Sequence, residues 1–288
     1  MKNLLKKLYF IYFSKYGYFY NLFNYNFSKI FFAKKIKLRK KKILSEKFKL
    51  DNEMINNITS EIEEKGYYIS NTENFGLDFN IEKEIQMLKN NNFNKTSHKK
   101  FFDNLYNFIP DDKISNFSLN ISFVKIVSKY LKSVPIINNI QLIKSDKTDD
   151  QEFYSSMNWH LDNHHRKLIK IIYLPYDLKF EDGPTSFLDK NTTKQILNKN
   201  SYFSAPRYFT DRELKNVMDD YKKKIVSFSG KSGDILIIDT SKCLHMGSRC
   251  NKERYQLFYT YTPIETNDLK TLNSLKKFEY LNKRMMEL

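Results

Sequence analysis

The first half of the chain carries apolar residues at helical spacing. Asp51 can cap a helix whose apolar face is Ile55, Ile58 and Ile62, and Gly66 supplies a left-handed stop after it. The same spacing predicts further helices over 81–88, 102–108 and 121–131, with a short strand at 67–69 after the first of them. This half is therefore predicted to be mainly helical.

After Pro135 the pattern changes to short runs rich in β-branched and aromatic residues. These runs predict strands over 136–143, 168–174, 225–228, 235–238 and 255–261. Turn sequences separate them, among them Asp182-Gly183-Pro184 and the stretch 230–233. Short strands with turns between them favour a sandwich or jelly roll over βαβ units. Leucines at helical spacing then predict a C-terminal helix over about 267–286.

Composition narrows the class of protein. The chain has 288 residues, of which 41% are apolar and 16% aromatic, so it can bury a large core and most of it is not intrinsically disordered. Two cysteines build neither a disulfide-rich secreted scaffold nor a four-thiolate zinc site, which favours a reducing, cytoplasmic setting. No linker marks a boundary after residue 42. Residues 43–288 are therefore predicted to form a single domain, with a helical part at about 43–134 and a β core at about 135–263.

The formal net charge of +16 is concentrated at the start of the chain. Residues 1–42 carry 11 Lys, 1 Arg and no acidic residue, which leaves 37 basic against 33 acidic residues over 43–288. A basic protein invites a nucleic-acid hypothesis. The nearly balanced body does not favour one.

The basic segment 1–42 also carries 13 aromatic residues. Its longest uncharged run, 16–28, has 13 residues and is shorter than the ~20 apolar residues of a membrane-spanning helix. Two interpretations stay open. The segment can lie in the interface of an anionic membrane, which would make the protein peripheral on the inner membrane face. It can also be a helix that packs on the body with snorkelling lysines.

Three residues have the types and spacing of a metal site. His160 and Asp162 are two positions apart, so in an extended strand an imidazole and a carboxylate face the same side. His245 follows the predicted buried strand 235–238 and supplies a third ligand. Two histidines and one carboxylate form the facial triad that binds Fe(II) and leaves coordination positions open.

Arg254 follows His245 by nine residues, at the head of the predicted strand 255–261. Its planar fork suits one carboxylate of a dicarboxylate cosubstrate. Arg249 is the competing choice, but it falls in a loop and is expected to be a surface residue or a substrate contact.

Other neighbours of these residues allow more than one interpretation. His164 and His165 either touch substrate or, as we expect, belong to a solvated turn. Cys243 and Cys250 flank His245 with a spacing that suggests zinc. A fourth ligand is lacking, and buried structural cysteines are the simpler account.

In type and order these residues resemble the phytanoyl-CoA dioxygenase family of Fe(II)/2-oxoglutarate-dependent oxygenases. The resemblance covers residues from about 139 to 263. Its motifs, in chain order, are Trp159-His160-Leu161-Asp162, Ile171-Ile172-Tyr173-Leu174, Asp182-Gly183-Pro184, Gly233-Asp234, His245-Met246-Gly247 and Arg254. Two features depart from the family's pattern. The stretch 187–191 stands where the family commonly has Pro-Gly-Ser-His, and the interval from His245 to Arg254 is slightly shorter than usual.

The resemblance implies a double-stranded β-helix core, that is, a cupin-like jelly roll, with flanking helices. It also implies a 2-oxoglutarate-dependent dioxygenase, a hydroxylase, that forms succinate and CO2. His160, Asp162 and His245 would then be the catalytic residues that bind Fe(II). The implied substrate is a small molecule, a lipid or a glycan-linked acceptor.

The same resemblance gives the cosubstrate a binding site. Arg254, helped by Ser248 or Thr260, would hold the 5-carboxylate of 2-oxoglutarate. Two other functions stay open: a non-enzymatic basic protein that binds membrane or RNA, and a zinc-dependent hydrolase that uses the same metal ligands. The intact metal ligands favour an enzyme, and Arg254 favours 2-oxoglutarate chemistry.

Overall fold

The computed structural model describes residues 19–45, 48, 50, 52–90, 102–148, 153–199, 208–247 and 249–288. The helices of this part are α1 (19–31), α2 (Ala33–Ile43), α3 (Glu53–Lys65), α4 (Glu82–Asn90), α5 (Lys113–Phe117), α6 (Ile121–Leu131), α7 (Lys190–Lys199), α8 (Asp211–Val217), α9 (Asn273–Lys277) and α10 (Glu279–Glu287). The strands are β1 (Tyr67–Asn71), β2 (Phe102–Asn104), β3 (Ile136–Ser145), β4 (Ile169–Tyr173), β5 (Ser186–Leu188), β6 (Ile225–Ser227), β7 (Asp234–Ile238), β8 (His245–Met246) and β9 (Arg254–Thr262).

Six strands form one antiparallel sheet in the order β1-β7-β4-β9-β3-β2. In its interior, β9 lies between β4 and β3, with Tyr259 opposite Ile171 on one side and Ile140 on the other. Successive side chains of a strand face opposite sides. The odd-numbered residues of β9 therefore pack in a core with α3 and α6, whereas Arg254 and Gln256 face the other side of the sheet.

Three short strands form a second antiparallel sheet in the order β6-β5-β8. An isolated bridge between His160 and His245 extends this sheet by one more segment. A core cluster that includes Ile172 and Leu236 of the large sheet and Phe187 of the small one joins the two sheets. These facing sheets, with helices packed outside, are the double-stranded β-helix that the sequence predicts.

Helix α3 shows how local sequence sets an element. Asn52 caps it by accepting a hydrogen bond from a backbone N–H three residues on, at 3.3 Å, while the predicted cap, Asp51, lies outside the described residues. Gly66 ends the helix at φ 90°, a left-handed conformation that favours glycine. A Cβ at Gly66 would lie 2.4 Å from Sγ of Cys243, so the end of α3 packs directly on the segment before β8.

Two helix predictions are wrong. Residues 102–108 do not form a helix, because Phe102 pairs with Ser145 and the segment continues the large sheet as the edge strand β2. The segment 267–286 is not one helix but a 3-10 turn at Leu269–Leu272 followed by α9 and α10. Phe278 lies between these two helices, and the break places its side chain in the main core.

Helices α1 and α2 pack on the body through one face. Its buried residues are Asn24, Ser28, Phe32, Ile36 and Arg39. Ser28 Oγ accepts a hydrogen bond from the backbone N–H of Thr266 at 3.1 Å. The guanidinium of Arg39 donates to the carbonyls of Pro135 at 2.6 Å and Val134 at 3.3 Å. Among the described residues, no helix combines the length and the apolar character that crossing a membrane requires.

Candidate active site

His160, Asp162 and His245 meet at one point beside the small sheet. His160 and His245 are held side by side by backbone hydrogen bonds of 2.9 and 3.0 Å, and the N–H of Asp162 donates to the carbonyl of Thr240 at 2.9 Å. The candidate ligand atoms of the three side chains all lie within 4.8 Å of one another. Within the part of the chain that the structure describes, no other three His, Cys, Asp or Glu side chains form such a group.

Both imidazoles are oriented by carbonyls of their own segments. Nδ1 of His160 lies 2.9 Å from the carbonyl of Asn158, and Nδ1 of His245 lies 3.0 Å from the carbonyl of Cys243. Because a carbonyl only accepts, we assign a proton to Nδ1 of each ring, which makes Nε2 the nitrogen that can bind a metal. Burial, and then the neighbouring His160 ring, lowers the pKa of His245 to about 3. The ring of His245 is therefore neutral at pH 7.

Asp162 is a buried carboxylate beside a lysine. Its Oδ2 lies 2.6 Å from Nζ of Lys170 on β4, in a geometry that forms an ion pair but no hydrogen bond. Burial by itself raises the pKa of Asp162, but Lys170, followed by the nearby histidines, outweighs burial and holds that pKa well below its usual value. Since His245 is neutral at pH 7, Lys170 is the dominant partner. Asp162 is therefore ionised.

The donor set of this group fits Fe(II). Two imidazole nitrogens and one ionised carboxylate are the ligands of a facial triad. Nε2 of His245 and Oδ2 of Asp162 are already 3.6 Å apart. Oδ2 of Asp162 is buried and pairs with the ammonium of Lys170 without hydrogen-bond geometry, so a bound cation would satisfy this oxygen better.

Arg254 is a buried cation that has no carboxylate partner among the described residues. It is 5% exposed, and its guanidinium donates to Oε1 of Gln256 at 2.7 Å and to Sγ of Cys250 at 2.9 Å. Burial lowers the pKa of Arg254, yet a guanidinium stays charged at neutral pH. A buried charge without a counter-ion is costly unless a ligand supplies the opposite charge.

Arg254 and the three candidate metal ligands line one open cavity of about 630 Å³. Gln256, Thr185 and Lys170 line it too, and the sequence reasoning missed all three. Oγ1 of Thr185 donates to Oε1 of Gln256 at 2.9 Å, and Nε2 of Gln256 has no hydrogen-bond partner among the described residues. Strand alternation would have found Gln256, because it shares a face of β9 with Arg254. No comparable signal marks Lys170.

Other predicted cosubstrate residues lie apart from this wall. Thr260 is buried on the same face of β9 as Arg254, but it does not line the cavity. Ser248 lies outside the described residues. Arg249, the competing choice, pairs with Asp211, its Nη1 2.7 Å from Oδ2, and it does not line the cavity either.

The two histidines after Asp162 have different environments. His164 is about half exposed, as expected for a solvated turn, but it also lines the cavity, with Nε2 3.8 Å from Oδ1 of Asp162. The same expectation is wrong for His165, which is buried, with Nδ1 2.8 Å from the carbonyl of Glu265 and Nε2 3.1 Å from the amide of Asn138. Burial lowers the pKa of His165 to about 3. This ring is therefore a neutral structural residue.

Cys243 and Cys250 are buried and not joined in a disulfide. Neither belongs to a metal-binding group among the described residues. Cys243 packs under Gly66, and Cys250 accepts a hydrogen bond from Arg254. Both have the structural role that the simpler interpretation assigns to them.

Comparisons with known proteins bear on the fold. One similar structure is that of SnoN, an epimerase solved in complex with Fe3+, alpha ketoglutarate and nogalamycin RO. The alignment covers 74% of this chain and 85% of the SnoN chain, with a TM-score of 0.51 and 9% sequence identity. A second is that of HygX from Streptomyces hygroscopicus with nickel and 2-oxoglutarate bound. The alignment covers 72% of this chain and 86% of the HygX chain, with a TM-score of 0.49 and 10% sequence identity. A third is that of EctD from S. alaskensis with 2-oxoglutarate and 5-hydroxyectoine. The alignment covers 71% of this chain and 74% of the EctD chain, with a TM-score of 0.47 and 14% sequence identity.

No protein-family model matches the sequence, and no curated protein matches it. The match to SnoN shows that this chain shares the fold of SnoN. At this identity the likeness extends to the fold alone.

Proposed function

We propose that this protein is an Fe(II)- and 2-oxoglutarate-dependent oxygenase, a hydroxylase of the phytanoyl-CoA dioxygenase branch. The observation that carries the proposal is Arg254, a buried cation without a carboxylate partner among the described residues, in the wall of the cavity that also holds His160, Asp162 and His245. The histidines and the aspartate fit a divalent metal, and the arginine fits a carboxylate. A dicarboxylate keto acid, bound between the metal and Arg254, satisfies both.

In this proposal the chain holds the metal through Nε2 of His160, Nε2 of His245 and the carboxylate of Asp162. When bound, Fe(II) with 2-oxoglutarate and O2 supplies an oxidation in which the cosubstrate becomes succinate and CO2 and the substrate is hydroxylated. The carbonyls of Asn158 and Cys243 would accept from Nδ1 of the two imidazoles, which directs Nε2 of each ring to the metal. Burial keeps His245 neutral, and Lys170 keeps Asp162 ionised.

Arg254 would bind the 5-carboxylate of the cosubstrate. Gly247 leaves room beside the guanidinium, because a Cβ there would lie only 3.4 Å from Nη2. Nε2 of Gln256 is a second donor on the same wall. Ser248 and Thr260 stay predictions as helpers of Arg254.

A cavity of about 630 Å³ has room for the cosubstrate and a small organic substrate together. A small molecule, a lipid and a glycan-linked acceptor are the proposed substrate classes. The alternatives are not favoured. A zinc hydrolase has no use for the buried charge of Arg254, and a basic binding module has none for an oriented His–Asp–His group.

The test of the cosubstrate site measures 2-oxoglutarate affinity under anaerobic conditions with Fe(II) present. Arg254→Ala is expected to weaken 2-oxoglutarate binding by about 2–5 kcal/mol, since it removes one partner of a buried charge pair, and to leave Fe(II) affinity nearly unchanged. Arg249→Ala is the matched control, because Arg249 pairs with Asp211 outside the cavity. Loss of affinity in Arg249→Ala with Arg254→Ala unaffected would reverse the assignment.

The test of the metal site measures Fe(II) binding and O2-dependent succinate formation on a panel of small-molecule, lipid and glycan acceptors. His245→Ala is expected to lose both, because two ligands remain of three. His164→Ala, a neighbouring histidine about half exposed, should keep the metal. An oxygenase is excluded if the wild-type protein binds Fe(II) but consumes no 2-oxoglutarate with any acceptor.

A further inference from the structure

Helix α1 carries a row of large apolar side chains on its outer face. Phe23, Phe27, Ile30 and Phe31, here called the aromatic ridge, follow one another at helical spacing, and Ile30 is 78% and Phe31 69% exposed. The rings stack along the helix, with centroid distances of 6.3 Å from Phe23 to Phe27 and 6.0 Å from Phe27 to Phe31. Single exposed apolar residues are ordinary, but a contiguous row marks an interaction surface.

The ridge is fixed in its outward direction. On an adjacent face of the same helix, Ser28 is fully buried against Thr266 and Asn24 donates to the carbonyl of Asn267 at 2.9 Å. Arg39 anchors α2 through backbone carbonyls of the body. Turning the ridge inward would break these contacts, so whatever covers it comes from outside this packed face.

Exposed lysines continue the surface along α2. Lys34, Lys35, Lys37 and Lys41 are exposed and form what we call the lysine flank. Residues 1–45 contain no acidic side chain. An apolar row beside a purely cationic stretch is complementary to a lipid surface, with hydrocarbon below and anionic headgroups above. A second copy of the chain would instead meet this surface with like charge.

We infer that the aromatic ridge and the lysine flank dock the protein on an anionic membrane surface. This inference goes beyond the proposed function and does not depend on the chemistry in the cavity. Tyr20 and Asn21, which precede the ridge on α1, line the same cavity as His160. Docking through the ridge therefore brings this side of the cavity close to the lipid surface.

The first test measures co-sedimentation of the full chain with vesicles of phosphatidylcholine, with and without phosphatidylglycerol, at low salt. We expect binding that requires phosphatidylglycerol. The combined change Phe23→Ser, Phe27→Ser and Phe31→Ser should weaken it roughly tenfold or more, since each change removes a buried aromatic contact with lipid. Phe180→Ser is the matched control, because Phe180 is 73% exposed and lies outside α1.

Two matched triple variants test the contribution of the lysine charges to binding. Lys34→Gln, Lys37→Gln and Lys41→Gln together should remove most of the preference for phosphatidylglycerol. The same change at three exposed lysines elsewhere, Lys215, Lys222 and Lys223, should not. Equal losses in the two triple variants would mean that net charge alone drives adsorption, and that result would overturn the docking surface.

A fluorescence readout separates insertion from adsorption. The chain has one tryptophan, Trp159, which is buried, so Phe23→Trp adds a reporter on the ridge. Its emission should shift to the blue with anionic vesicles, whereas that of Phe180→Trp should not. Wild-type protein that ignores vesicles would overturn the inference. A dimer that the three Phe→Ser changes convert to a monomer would also overturn it, in favour of a second copy as the occupant.

Discussion

At the scale of single residues, Lys170 and a bound metal ion would both contact the carboxylate of Asp162. Lys170→Met leaves Asp162 buried and unpaired, so the metal-free protein is expected to lose ~1–3 kcal/mol of stability, after allowance for the partial exposure of the lysine. The same change should raise Fe(II) affinity, because the ion no longer competes with an ammonium group. Anaerobic thermal unfolding with and without Fe(II) checks both effects.

Lys144→Met is the matched control for this prediction. Lys144 is similarly exposed and also pairs with carboxylates, those of Asp146 and Glu253, but it lies outside the cavity. It should therefore leave the stabilisation by Fe(II) unchanged. Weaker Fe(II) binding in Lys170→Met would show that the lysine supports the metal instead of competing with it.

The candidate metal ligands could be predicted from the sequence because their chemistry is local. Two residues of one extended segment share a side, and a third follows a strand whose burial is visible in its composition. Lys170 could not be found in this way, since its contact with Asp162 depends on how β4 lies beside the segment of His160. Nor could the burial of His165, which comes from contacts with Asn138 and Glu265, both distant in sequence.

At the scale of elements, the end of α3 contacts the segment that orients His245, a candidate metal ligand. Gly66→Ala puts a side chain at φ 90° and a Cβ 2.4 Å from Sγ of Cys243, whose carbonyl orients His245. We expect a loss of stability of about 2–4 kcal/mol from strain and overpacking together, and weaker Fe(II) binding. Denaturant unfolding and metal titration measure the two effects separately.

Gly76→Ala provides the control for the backbone term. Gly76 is also left-handed, at φ 65°, but nothing lies within 4 Å of the added Cβ. It should cost only the strain, about 1 kcal/mol, and keep Fe(II) affinity. Equal effects of the two changes on metal binding would disprove the coupling through Cys243.

The longer strands could be predicted, whereas of the strands with two or three residues only β6, inside the predicted run 225–228, could. The runs that become β3, β4, β7 and β9 are long enough for their composition to show. Strands β5 and β8, with three and two residues, exist because each finds the other as a partner, as Phe187 does with His245. For β2, pairing with β3 overrides a helical spacing of apolar residues.

At the scale of the whole molecule, buried His165 makes stability depend on pH. Its pKa is about 3 in the folded protein and ~6.5 in an unfolded chain. The unfolded state therefore binds the extra proton between these values. His165 should therefore not lower the free energy of unfolding above about pH 6.5. Below that pH, it should lower the free energy of unfolding by up to ~1.4 kcal/mol per pH unit.

The check is the slope of the unfolding free energy against pH, from urea titrations of the metal-free protein below about pH 6.5. His165→Gln should reduce this slope by up to one proton, or ~1.4 kcal/mol per unit. It should not abolish the slope, because the pKa of His245 is also lowered to about 3. An identical slope in the variant and the wild type would contradict the assignment of His165 as a buried neutral ring.

The carbonyls that orient His160 and His245 belong to Asn158 and Cys243. A carbonyl is present whatever side chain its residue carries, so no amino-acid substitution at these two positions deletes the hydrogen bond itself. As far as the imidazoles are concerned, the side chains at positions 158 and 243 can vary between natural variants while the hydrogen bond to each imidazole is kept. An alanine scan would miss these contacts, since backbone carbonyls, and not side chains, orient the two candidate ligands.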